Sequence, residues 1–153
     1  MLNDLVTINN DRMEGYKKVE KQVNTNLNLS SVFRDKWQQS FTFITELQQN
    51  IKLLGGNYTD NMSLPGKIFN IWMGFKNTLK RDNTSTILDS CEFGEDMAIK
   101  AYNAVLQSEV GIPAGIRQLI QEQQTAIKKS YDLVKKYKDL NLDFQNYDKS
   151  FLL

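Results

Sequence analysis

Four separate stretches of this chain carry apolar residues three or four positions apart, a spacing that draws a buried stripe down one face of an α-helix each time. The first covers residues 2–23, with Leu5, Ile8, Tyr16, Val19 and Val23 on one face and Arg12 filling the gap in the series. Asn24-Thr25-Asn26-Leu27-Asn28 interrupts it with side chains that compete for local backbone hydrogen bonds, and Ser30 or Ser31 is the expected cap of the next helix. That second stripe reads Phe33, Trp37, Ser40, Ile44, Leu47, Ile51 and Leu54, and Gly55-Gly56 supplies a left-handed stop.

Residues 55–83 break the pattern: a polar loop leads into a short helical stretch with Pro65 in its first turn and Ile68, Ile71, Trp72, Phe75 and Leu79 on one face. A short helix between two longer ones is how a bundle carries its chain from one end to the other, so this segment reads as a long crossover. Asp82, Asn83 or Thr84 caps the third helix, whose inward face carries Ile87 or Leu88, Cys91, Glu95, Ala98, Tyr102 and Val105, with Gly111 closing it. Ile112-Pro113 opens the fourth, with Ile116, Leu119 or Ile120, Gln123, Ile127, Tyr131, Val134 and Tyr137 inward. Its C-terminal lysines, among them Lys128, Lys135 and Lys136, complement the helix dipole without needing a ligand. The expectation is an all-α antiparallel four-helix bundle over 1–139, and a tail, 140–153, that docks on the bundle, meets a second subunit or stays mobile.

With 153 residues the chain has the size of one compact domain. Nineteen Lys plus Arg against eighteen Asp plus Glu leave a net charge of +1, which gives no global field to steer nucleic acid or anionic lipid. No run approaches the roughly 18 apolar residues of a membrane span, and the first residues lack a basic segment followed by an apolar one, so a cytoplasmic location is expected. The lone Cys91 fits a reducing compartment, and the Asn-x-Ser/Thr tripeptides at Asn28, Asn57, Asn61 and Asn83 read as chance matches in an Asn-rich chain.

The segments LNDL at 2–5, NNDRMEGY at 9–16, WQQSFTFITELQ at 37–48, LLGG at 53–56 and above all CEFGEDMAIKAY at 91–102 resemble the bacterial ferritin-like four-helix-bundle proteins of unknown function, relatives of stress-induced bundle proteins. The resemblance spans roughly residues 2–138. It implies a ferritin-like fold, a bacterial and cytoplasmic setting and a link to stress, but no activity. A di-iron centre on such a framework takes a Glu from each of two helices and a Glu-x-x-His pair from each of the other two. This chain has no histidine, and its second and fourth helices offer Gln38, Gln39, Gln123 and Gln124 instead of carboxylate and imidazole. Two divalent ions about 4 Å apart need several carboxylates to offset their repulsion, so an intact di-iron site is not expected.

A carboxylate-only metal site remains as the competing reading, with Asp11 and Glu14 on helix one, Glu92 and Glu95 on helix three, and Glu122 on helix four as weak candidate ligands. The bland alternative places Asp11 and Glu92 on solvated faces and pairs Glu95 with Arg12 or a buried tyrosine. The glutamines read as a network joining helices two and four, and Cys91 as a small core residue rather than a nucleophile. Gly94 and Gly15 suggest close approach of a neighbour, and the aromatics Trp37, Phe41, Phe69, Trp72 and Phe75 read as core. The halves echo one another: a polar residue precedes a tyrosine by seven in both Asn9–Tyr16 and Glu95–Tyr102, and Gln38-Gln39-Ser40 parallels Gln123-Gln124-Thr125. No catalytic motif and no cofactor are implied. The expected role is a non-catalytic bundle acting through self-association, most simply as a homodimer, or through a protein partner, with Ile68, Trp72, Met73 and Phe75 as the candidate interface. Oxidase-type metal chemistry on the carboxylates is the alternative.

Overall fold

A computed structural model describes residues 1–23, 26–57 and 84–151. They form four helices: α1 (Leu2–Gln22), α2 (Leu27–Leu53), α3 (Thr84–Leu106) and α4 (Ala114–Phe151), with no strand among the described residues. No helix among them is long and apolar enough to cross a membrane.

The α1 stripe is buried as its spacing requires, and Arg12, in the gap, is itself wholly buried. α2 begins earlier than its serines suggest. Asn26 is the cap, its side chain accepting from the Leu29 amide at 3.1 Å, and the added turn buries Leu29 beside Phe33. The helix stops where expected, with Gly55 at φ +75°, so Leu54 falls past its end and stands exposed rather than completing the stripe. Phe41 likewise faces solvent instead of the core.

Helix α3 ends at Leu106, before the expected stop at Gly111. Its last carbonyls find other donors: the Ser108 hydroxyl donates to Val105 O and the Arg117 guanidinium to Leu106 O, each at 2.8 Å. Along α4 the buried series is Ile116, Ile120, Gln123, Ile127, Ser130 and Val134. Ser130 thus takes the inward place expected of Tyr131, which sits at the edge with the Lys135 ammonium 5.5 Å from its ring centroid. The helix then runs unbroken through Phe151, so residues 140–151 continue it.

Hydrogen bonds fix the directions. Asn9 meets Tyr102 and Arg12 meets Glu95, so numbering falls along α3 as it rises along α1. The short links 23–26 and 107–113 make α1–α2 and α3–α4 antiparallel hairpins, and these meet mainly through α1 and α3. It follows that α2 and α3 run the same way, and that the end of α2 and the start of α3 lie at opposite ends of the bundle. The expected crossover helix, with Ile68, Trp72, Met73 and Phe75, lies outside the described residues. The core divides into an apolar cluster around Leu5, Ile8, Leu47, Val105 and Ile120 and another around Tyr16, Val19, Phe33, Leu88 and Val134. Between them is a polar layer.

Candidate functional site

The centre of that layer is Glu95 of α3, completely buried, facing Arg12 of α1, also completely buried. Burying either charge alone would cost several kcal/mol, so the arrangement survives only if every donor and acceptor is matched. The matching is close to complete. Arg12 Nε donates to Glu95 Oε2 at 2.8 Å and Nη2 to Glu95 Oε1 at 2.9 Å, a paired side-on contact. The Tyr16 hydroxyl donates to Oε1 at 2.6 Å, and the Ser130 hydroxyl of α4 donates to the same oxygen. The remaining guanidinium hydrogens go to α2: Nη1 to Ser40 Oγ at 2.8 Å and Lys36 O at 3.3 Å, and Nη2 to Gln39 Oε1 at 2.9 Å. One ion pair therefore ties all four helices together.

The electrostatics follow from this geometry. Burial alone would lower the Arg12 pKa, but the Glu95 charge and hydrogen bond more than reverse that, leaving the guanidinium more firmly protonated than usual. Burial, then the Glu95 charge, hold the Tyr16 hydroxyl well above the ordinary phenol range. The same two causes push the Cys91 thiol up, so it is not poised as a nucleophile. Lys36 at the rim is lowered, first by partial burial and then by Arg12.

Further along the same seam lies an amide-centred counterpart. Asn9 Nδ2 donates to the Tyr102 hydroxyl at 2.7 Å and to Leu5 O at 2.8 Å, and Tyr102 donates to Gln123 Oε1 at 2.7 Å. Gln123 Nε2 reaches across to Glu46 of α2 at 2.8 Å and to Phe43 O at 3.4 Å, the expected bridge between the second and fourth helices. Burial first of all holds the Tyr102 phenol above its usual range. The sequence echo thus has a physical counterpart. Each tyrosine reaches the residue that precedes the other tyrosine by seven, Tyr16 to Glu95 and Tyr102 to Asn9.

The other glutamines do different work: Gln39 serves Arg12, Gln124 donates to Asn103 of α3, and Gln38 is exposed. Of the five candidate ligands, only Glu95 lies in the central layer. Asp11 is buried on α1, not solvated; Glu14 is exposed beside Lys17; Glu92 pairs with Lys138; and Glu122 is exposed beside Gln118. Among the described residues no three carboxylate or cysteine groups come together as a metal site. The donors at the centre do not fit a di-iron pair, since the layer offers one carboxylate already engaged by a guanidinium, with hydroxyls and amides around it. Trp37 is half-buried, held by its indole N–H to Glu20 at 2.7 Å with the Lys17 ammonium 5.2 Å from its ring centroid. Ser130 and Asn103, which sequence reasoning missed, carry no periodicity signal because short polar side chains are set inward by their partners rather than by hydropathy.

The described residues form an all-helical bundle of the four-helix class, joined at its centre by a buried charge pair. A family model described as a domain of unknown function, DUF2383, matches residues 1–108, and the chain belongs to that family. The match covers α1, α2 and α3, whereas Gln123 and Ser130 of α4 lie beyond it. No curated protein matches the chain.

Proposed function

We propose that this protein is a non-catalytic, ferritin-like bundle that acts through association, with itself or with a protein partner, in a bacterial cytoplasmic setting linked to stress. The supporting observation is Arg12. Where a ferritin-like framework would turn carboxylates toward bound ions, the one carboxylate in the central layer among the described residues is neutralised by a side chain of the same molecule, and every nitrogen of that guanidinium has an acceptor. The parallel directions of α2 and α3 support the ferritin-like topology. A central ion pair matched by its own groups leaves the outer surface to carry the function.

The apolar face spelled by Ile68, Trp72, Met73 and Phe75 is the proposed contact. Light scattering of the wild type and of a Trp72→Glu, Phe75→Glu variant tests it: a wild-type mass of two chains and a folded variant of half that mass are expected, while equal masses remove this face as the contact. The carboxylate-only metal reading makes a separate demand. Purification with iron, manganese or zinc followed by elemental analysis must give near-stoichiometric metal and a thermal shift on titration, since a ligand of the native state stabilises it.

A further inference from the structure

The bundle is incompletely packed at the end where α1 begins and α2 stops. Helix α3 breaks off at Leu106, and residues 107–113 cross to α4 as an irregular link. Against that link is a hollow of about 290 Å³, open to solvent, lined by the buried Ile51, Val105 and Ile116 and the half-buried Leu2 and Ile112. Among the described residues, Asn3 and Asn57 are the only polar side chains that line it. Leu54 and Val110 stand at its mouth, each more than half exposed, an apolar rim left to water. Protein interiors leave few voids larger than a water molecule, yet this one has room for about ten water-sized groups at about 30 Å³ apiece. A cation stands beside it. Arg117, next to Ile116 in the chain, donates to Leu106 O at 2.8 Å, and Leu106 follows Val105, so the guanidinium is held at the side of the hollow. That bond satisfies a carbonyl, not a charge, and no carboxylate among the described residues pairs with Arg117. The first amides of α4 add the positive end of a helix at the same place, since Pro113 and Ile116 both line the hollow.

We propose that this end of the bundle binds a medium-chain fatty carboxylate, an unbranched hydrocarbon of about ten carbons lying in the hollow with its head on Arg117. Filling the hollow takes both the ligand's chain and the exposed rim out of water, while the head gains a charge-assisted pair with a guanidinium. A helix with its side chains is about 10–12 Å across, too wide for a hollow of this volume, whereas a single hydrocarbon chain enters it. The site does not depend on self-association.

The test titrates the full chain with decanoate, and with decanol and butyrate as chain-only and head-only controls, while side-chain methyl groups are followed by NMR. The expected result is saturable binding of one decanoate per chain, with shifts at Ile51, Val105 and Ile116 and none at Val134 in the other apolar cluster. Butyrate should leave all of them unmoved. Val110→Asp, a change at an exposed position that circular dichroism should show to be folded, is expected to weaken decanoate binding by about tenfold or more. Arg117→Gln should weaken decanoate by about tenfold and leave decanol unchanged. No saturation below about 1 mM decanoate, or shifts spread over both clusters, overturns the inference. So does an Arg117→Gln variant that loses decanol as much as decanoate. A wild-type dimer that Val110→Asp splits, with no decanoate bound to either protein, puts a second copy over the hollow and likewise overturns it.

Discussion

Two tyrosines in equivalent places, Tyr16 and Tyr102, sit in layers of opposite character. Around Tyr16 the partners are a carboxylate and a guanidinium; around Tyr102 they are the amides of Asn9 and Gln123. Geometry is shared, charge is not. An amide-centred layer, whose carboxylate Glu46 is half-buried at the edge, loses less when one group is deleted, because amides left behind cost about 1–3 kcal/mol, whereas a charge stranded in a dry interior costs more. The layer of the ion pair should therefore behave as the point of failure, and the amide-centred one as a register device.

The most direct way to break this contrast is at the pair itself. Arg12→Met is expected to destabilise by about 3–5 kcal/mol, and Glu95→Leu by a similar amount, whereas both together should cost much less than the sum in urea denaturation. A sum that is simply additive would show that the pair has no special coupling. High pH sharpens the contrast next. In the unfolded chain Cys91 and the two tyrosines release protons near about pH 8.5 and 10, while the fold holds all three protonated beyond that. The unfolded state then binds fewer protons, so stability is unaffected below about pH 8 and falls as pH climbs through 9 to 11. The part of the tyrosinate absorbance that the Tyr16→Phe and Tyr102→Phe changes remove, among six tyrosines, should rise together with loss of helix by circular dichroism, and its appearance in a fully helical protein would contradict the burial of these hydroxyls.

Smaller effects compare the two tyrosines head to head. Tyr16→Phe removes a donor to a buried carboxylate and should cost about 2 kcal/mol, against about 1 kcal/mol for Tyr102→Phe, which leaves Gln123 short of a donor. Equal losses would mean that the charge of Glu95 adds nothing to its hydrogen bond. Smallest, and outside both layers, Asn26→Ala should cost about 1 kcal/mol through the lost cap of α2.

Much of this organisation is legible in the sequence. Arg12 stood at a stripe position where hydropathy called for an apolar residue, and Glu95 stood on the opposite stripe; two opposite charges at core positions are each other's natural partners. The tyrosine echo was visible too, though its crossed pairing was not, because sequence spacing reports faces and says nothing of which helix faces which. Ser130 was hidden behind Tyr131, the more apolar neighbour. There the need of Glu95 for a further donor outweighs the hydrophobic gain from turning the ring inward. Asp11 was misplaced on a solvated face, and the α2 start at Asn26 was missed because Ser30 and Ser31 look like better caps, yet burial of Leu29 favours the longer helix. Periodicity describes stripes well and ends poorly, since ends are settled by single side-chain bonds.

The sulfur at position 91 carries one last consequence. It is the chain's only thiol, it lies in the apolar cluster with Tyr16 and Val134, and its proton is held tightly. Alkylating reagents can reach it only when α1, α3 and α4 part. Its labelling rate is therefore a clock for the opening of the molecule, built in without any added probe.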